Sequence, residues 1–255
     1  MKTAYRLVPI LVLGLFAWAG PAAAQAPAQP APAQATPPAA PSPAPATGPV
    51  YAVTYFDVAP AAARKSMGQL RQYQAATRKA DGNVELTVLH ELNRTGRFAI
   101  IEGWRDKAAF EAHAGAMKAL GDKLQPAMLT PFDGRTFVPL AVGKPGSGGV
   151  YVVTHVDVFP QGKDDVAGLI KSEVVASQGD PGLERFDALV WDGHANHFHL
   201  IEAWTDKKAE QAHAATDHTK TFRAKVQPFE GALYDERIYE PIKEGKAAKE
   251  PKEPK

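Results

Sequence analysis

With eight histidines and no cysteine, proton chemistry near neutral pH in this chain falls to imidazole. Two histidines are equivalently placed: His113 stands nine residues after Trp104 of Glu102-x-Trp104, and His213 nine after Trp204 of Glu202-x-Trp204. Each lies four residues after an alanine, Ala109 or Ala209, on the inner face of a helical stretch, where it reads as a general base or as a structural polar contact. Each Glu shares strand parity with its Trp, as a site pair or as capping and core residues. His218 follows Thr216, where a new helix start is expected, so its ring can turn into a cavity mouth. His155 answers to Tyr55 and either lines the same cavity or lies at a strand edge. Histidines 155, 194, 197, 199, 213 and 218 fall in the second half, so the better preserved acid–base site is expected there. His194, His197 and His199 invite a metal reading. They sit in and beside a turn with no nearby carboxylate beyond Asp192, and no metal is expected. No phosphate loop, nucleotide fingerprint or nucleophile elbow appears, which argues against the usual nicotinamide and flavin enzymes.

These residues repeat because the chain does. Val50-Tyr51-x-Val53-Thr54 recurs at Val150, and Ile101-Glu102-x-Trp104-x-Asp106-Lys107 recurs at Ile201, a shift of 100 residues. After about residue 115 the match needs a two-residue step, since Leu124-Gln125-Pro126 answers to Val226-Gln227-Pro228. Within each copy, a Val- and Tyr-rich strand (50–58, 150–158) ends at Pro60 or Pro160 and leads into a helix, 61–80 or 163–178, closed by Gly82 or Gly182. A hairpin follows, 84–92 with 98–104 and 186–191 with 197–204. Asp106 or Asp206 caps a second helix, and a last strand runs over 135–138 or 233–239. The order βαββαβ, given twice, predicts an α+β protein of two tandem ferredoxin-like units, 50–140 and 150–242. The helices cover one face of each sheet, so the other face needs a partner. A nine-residue connector, 141–149, spans at most ~30 Å, which predicts that the copies pack sheet to sheet as an intramolecular pseudo-dimer.

The flanks suggest export. Lys2 and Arg6 precede the apolar run 7–19, too short to span a bilayer, and Ala22-Ala23-Ala24 suits signal cleavage, giving a signal peptide over 1–24 and a periplasmic or secreted protein without a stable anchor. Residues 25–49 are a Pro/Ala-rich spacer and 243–255 a charged tail. Without Lys2 and Arg6, 27 basic residues face 28 acidic ones, which gives no footprint for nucleic acid.

The Glu-x-Trp strand ending, the Asp-Lys that follows, and the histidine nine residues on resemble the antibiotic biosynthesis monooxygenase family, as does His213-x-x-Thr216-x-His218 leading to Phe222. The likeness covers both copies and implies a dimeric α/β barrel that oxidises a small aromatic of quinol or anthrone type with dioxygen and no bound cofactor. By the same resemblance His213 is the base, with His218, Trp204 and His155 shaping or polarising the site, and His113, Trp104, Glu202 and Phe198 contacting substrate. Proton transfer from a hydroquinone hydroxyl (pKa ~10) to histidine (~6.5) is uphill by roughly 5 kcal/mol, so the pocket must stabilise the anion. Haem-degrading relatives use an Asn on the first strand and a Trp on the second helix. Here those positions are Thr54 or Thr154 and His113 or His213, so that residue set is absent. The alternative is a non-catalytic ligand-binding or stress-response protein on the same barrel.

Overall fold

The computed structural model describes residues 48–143 and 146–243. The expected signal peptide, all but the last two residues of the spacer, and all but the first residue of the charged tail lie outside the described residues. Among those described, no helix is long and apolar enough to cross a membrane.

The first copy runs β1 (Val50–Asp57), α1 (Ala63–Thr77), β2 (Asn83–Glu91), β3 (Arg97–Trp104), α2 (Lys107–Leu124) and β4 (Asp133–Ala141). The second runs β5 (Val150–Asp157), α3 (Lys163–Ala176), β6 (Leu183–Trp191), β7 (His197–Trp204), α4 (Lys207–Ala214), α5 (Asp217–Val226) and β8 (Asp235–Pro241). Pro60 and Pro160 open short 3-10 turns because their fixed φ suits a helix start, which delays α1 to Ala63. Asp106 and Asp206 accept the Ala109 and Ala209 amides and cap the second helices. The two-residue step in the repeat is the break between α4 and α5, where Thr216 caps the new helix through the Thr219 amide. Gly82 and Gly182 lie beyond α1 and α3 and enter the next strand at φ 75° and 85°, a left-handed conformation that favours glycine, and a Cβ there would collide with the methyl of Ala109 or Ala209.

All eight strands close one antiparallel barrel in the order β1-β3-β2-β8-β5-β7-β6-β4. β4 pairs with β6 and β2 with β8, so the copies are joined by strand pairing at both edges as well as through their bare faces. This pairing carries β4 past the expected Val138: the extension follows β6, not a local preference. Each strand has its counterpart four places round the ring of eight, so the repeat is a half-turn about the barrel axis.

Residues near that axis meet their own counterparts. Tyr55 Oη lies 3.0 Å from His155 Nε2, and buried Arg185 pairs with Glu85. A homodimer would set identical side chains against each other there; the fused chain can use unlike ones. The interior is filled by Val53, Leu89, Ile101, Phe137, Tyr151, Ile201 and Tyr239. Separate apolar clusters fill the space between sheet and helices in each copy, around Phe98 and Ile100 in the first and Phe198 and Leu200 in the second.

Candidate functional site

Strand parity divides the expected site residues between two faces. On β3 and β7, Glu102, Trp104, Glu202 and Trp204 face the helices, while Ile101 and Ile201 face the barrel interior. His113 and His213 meet the helix-side set: each ring lies 4.6 Å, centroid to centroid, from its Trp.

In the first copy a cleft of about 450 Å³ opens between α2 and the sheet, within the ~300–1,000 Å³ typical of small-molecule sites. Ala52, Phe110, Ala114, Met117 and Phe132 make it largely apolar, and Thr54, Thr136, Glu102 and His113 supply polar groups. His113 Nε2 lies 3.0 Å from Tyr73 Oη, 3.2 Å from Thr77 Oγ1 and 4.0 Å from Glu102 Oε1. The Tyr73 hydroxyl donates to Glu102 at 2.6 Å, and burial with the adjacent carboxylate raises its pKa, so it stays a donor. Burial lowers the His113 pKa, which keeps the ring neutral and able to take a proton. Burial raises that of Glu102, against the Tyr73 hydrogen bond. The arrangement is an imidazole oriented by a Tyr–Glu pair at the wall of an apolar cleft.

The second copy, where the better preserved acid–base site is expected, has no comparable opening beside its histidine. Beside His213 the space is about 20 Å³, enough for about one water. The repeat shows why: Gly121 and Gly134 of the first copy answer to Arg223 and Glu236, which pair across the opening, and the Arg223 guanidinium lies 4.2 Å from the Tyr234 ring. Phe110 answers to Glu210, which also lines the filled space. His213 is buried with Nδ1 2.6 Å from Asp180 and Nε2 3.7 Å from Glu202. Trp204 Nε1 donates to Glu202 at 2.9 Å, while burial pushes the Glu202 pKa up to about 8 and keeps the carboxyl protonated at neutral pH.

Three expectations need correction. His155 does not share the helix-side cavity. Val152, not His155, pairs with Glu202, so His155 points into the barrel, 3.0 Å from Tyr55 Oη and 4.0 Å from the His199 ring. Phe198 is fully buried against Val156 and Leu200 and lines no opening beside His213. His218 does turn into a cleft mouth, but that of a separate surface cleft and not the space beside His213, and it bridges Glu173 and Asp180. The three hairpin histidines do not meet at one point: His194 and His197 both contact Trp191, with ring centroids 5.6 Å apart and His197 paired with Asp157, whereas His199 lies inside the barrel. Tyr73, Phe110, Met117 and Phe132 line or support the cleft without any spacing that marks them as site residues in the sequence. The loss of Gly121 and Gly134 from the second copy is the signal that could have revealed the open pocket.

The barrel interior has its own consequence for stability. Burial, aided by Arg237 and Arg135 and opposed by Asp235 and Asp157, lowers the His155 pKa to about 4, and burial holds His199 well below its ordinary value. At these two histidines the unfolded chain binds more protons between about pH 4 and 6.5, so they make stability rise with pH across that window, while Glu202, whose carboxyl takes up a proton on folding, acts in the opposite sense. His155 alone contributes on the order of 3 kcal/mol, present above about pH 6.5 and lost towards pH 4. In urea unfolding at pH 4.5 and 7, His155→Gln should make stability rise less with pH than in the unsubstituted chain; an identical pH dependence in the two would exclude the His155 contribution.

The sequence profile of the antibiotic biosynthesis monooxygenase family matches residues 49–119 and 149–225. No curated protein matches the chain. Among solved structures, a candidate monooxygenase from Lactobacillus acidophilus NCFM aligns with TM-score 0.66 and 14% identity over 77% of this chain and 95% of its own. One from Fusobacterium nucleatum aligns with TM-score 0.69 and 16% identity, covering 78% and 94%. An anthrone oxidase-like protein aligns with TM-score 0.60 and 14% identity, covering 78% and 96%. At such identities these structures share the fold.

Proposed function

The chain belongs to the antibiotic biosynthesis monooxygenase family through both of its halves, and we propose that it is an exported, cofactor-independent monooxygenase whose working site is the first-copy cleft. The observation that carries this reading is the contrast between about 450 Å³ beside His113 and about 20 Å³ beside His213. A planar hydroquinone- or anthrone-type molecule fits a cleft walled by Phe110, Met117 and Phe132. Neutral His113 takes the substrate proton, and Glu102, 4.0 Å from Nε2, offsets the imidazolium charge. The electron-rich anion then reduces dioxygen: one oxygen atom enters the carbon framework, and the other leaves as water with the two hydrogens removed. Burial sets His113 below ~6.5, so the transfer is more uphill than ~3.5 pKa units, and stabilisation of the substrate anion falls to donors such as Thr54 and Thr136. Export rests on Lys2, Arg6, the apolar run 7–19 and the small residues before Gln25.

Oxygen-electrode assays with reduced naphthoquinones and anthrones test this reading. One dioxygen consumed per substrate, with one labelled atom retained in the product from 18O2, is expected. Saturable binding without oxygen consumption would instead identify a non-catalytic ligand-binding protein.

A further inference from the structure

The filled second copy gathers a polar cluster that the first lacks. Around the shared histidine, Tyr73, Ala80, Ala116 and Met117 of the first copy are replaced by Glu173, Asp180, His218 and Thr219. These four changes act on one point. Ligand atoms of Glu173, His213 and His218 all lie within 4.8 Å of one another, the one group of three such side chains near enough to share an ion among the described residues. Thr219 Oγ1 sits among them, 2.8 Å from Glu173 Oε1, 3.3 Å from His213 Nε2 and 3.4 Å from His218 Nδ1.

We propose that Glu173, His213 and His218 bind one divalent cation of the zinc class, with Asp180 orienting both imidazoles. Metal-to-ligand distances of ~2.0–2.2 Å put tetrahedral ligand atoms ~3.4 Å apart, and His218 Nδ1 and Glu173 Oε1 are already 3.0 Å apart. Asp180 lies 2.6 Å from His213 Nδ1 and 3.2 Å from His218 Nε2. A carboxylate that accepts a proton from one nitrogen of each ring leaves the other nitrogen with its lone pair turned inward, the arrangement of metal-bound histidines. His218 Nδ1 then faces Glu173 Oε1 acceptor to acceptor, a contact that needs a proton or a cation between them. Two imidazoles with one carboxylate suit zinc or a neighbouring first-row ion better than calcium or magnesium, which prefer all-oxygen sites. Entry is available: Glu173 and His213 are buried, but His218 is partly exposed and borders, with Glu173 and Lys225, a surface cleft of about 300 Å³.

Calorimetric titration of the full chain with Zn²⁺, and the visible absorption of Co²⁺, test the site without reference to turnover. One ion per chain is expected, with affinity lowered by at least about 100-fold in His218→Ala and in Glu173→Gln, and about 10–100-fold in Asp180→Asn. His218 is partly exposed, so His218→Ala should fold, and circular dichroism checks this. Absence of saturable binding, or a single site that survives His218→Ala, such as one on the His194–His197 hairpin, would overturn the assignment.

Discussion

Replacing His113 by alanine is expected to lower oxygen-coupled turnover by about 10²–10⁴-fold while the chain stays folded, the range associated with a lost general base. His113 is held by the Tyr73 hydroxyl and Thr77, and its loss leaves the Tyr73 to Glu102 hydrogen bond intact. Glu102→Gln should lower turnover less, because the imidazolium loses its counter-charge but the base remains. Glu202→Gln, the same change in the filled copy, should leave it near wild type. Transplanting the plug by Gly121→Arg with Gly134→Glu should abolish substrate binding in the first copy. Steady-state oxygen uptake measures all four; equal losses from Glu102→Gln and Glu202→Gln would contradict a single working cleft.

The second large effect concerns the barrel. Arg185 is buried between Glu85 of the opposite copy and Asp187 on its own strand, which hold it charged against the cost of burial. Arg185→Ala leaves two carboxylates facing each other in the interior and should cost about 3–5 kcal/mol in urea unfolding at pH 7. The change Glu85→Gln, Arg185→Met, Asp187→Asn should recover most of that loss, because no uncompensated charge remains. A loss below about 1 kcal/mol for Arg185→Ala would mean that the two halves do not depend on this contact.

The fold was legible because its signals are local and doubled: β-rich runs closed by proline, Asp106 and Asp206 as caps, and a two-residue step that became the start of α5. The helix-side partnership of Glu, Trp and His could also be read, since parity and spacing are properties of one strand and one helix. The face of His155 could not. It depends on the register of β5 against β7, which pairs Val152 with Glu202 and sets His155 opposite His199. Nor could histidine count locate the open pocket. Pocket volume depends on what reaches across it, and Arg223 of α5 meets Glu236 of β8 only in the folded chain. Glu173 lies in α3 and Asp180 just beyond it, where the helical spacing of Val166, Leu169 and Ile170 marks an apolar face and carries no signal for the polar residues beside it.

The central claim is that duplication left one open site, in the first copy. Anaerobic titration with an anthrone, followed by crystallography of the complex, tests it most directly. The account predicts one molecule per chain, bound between Phe110, Met117 and Phe132 with a polar atom at His113. A ligand seated beside His213 and Tyr234, or one in each copy, would contradict it.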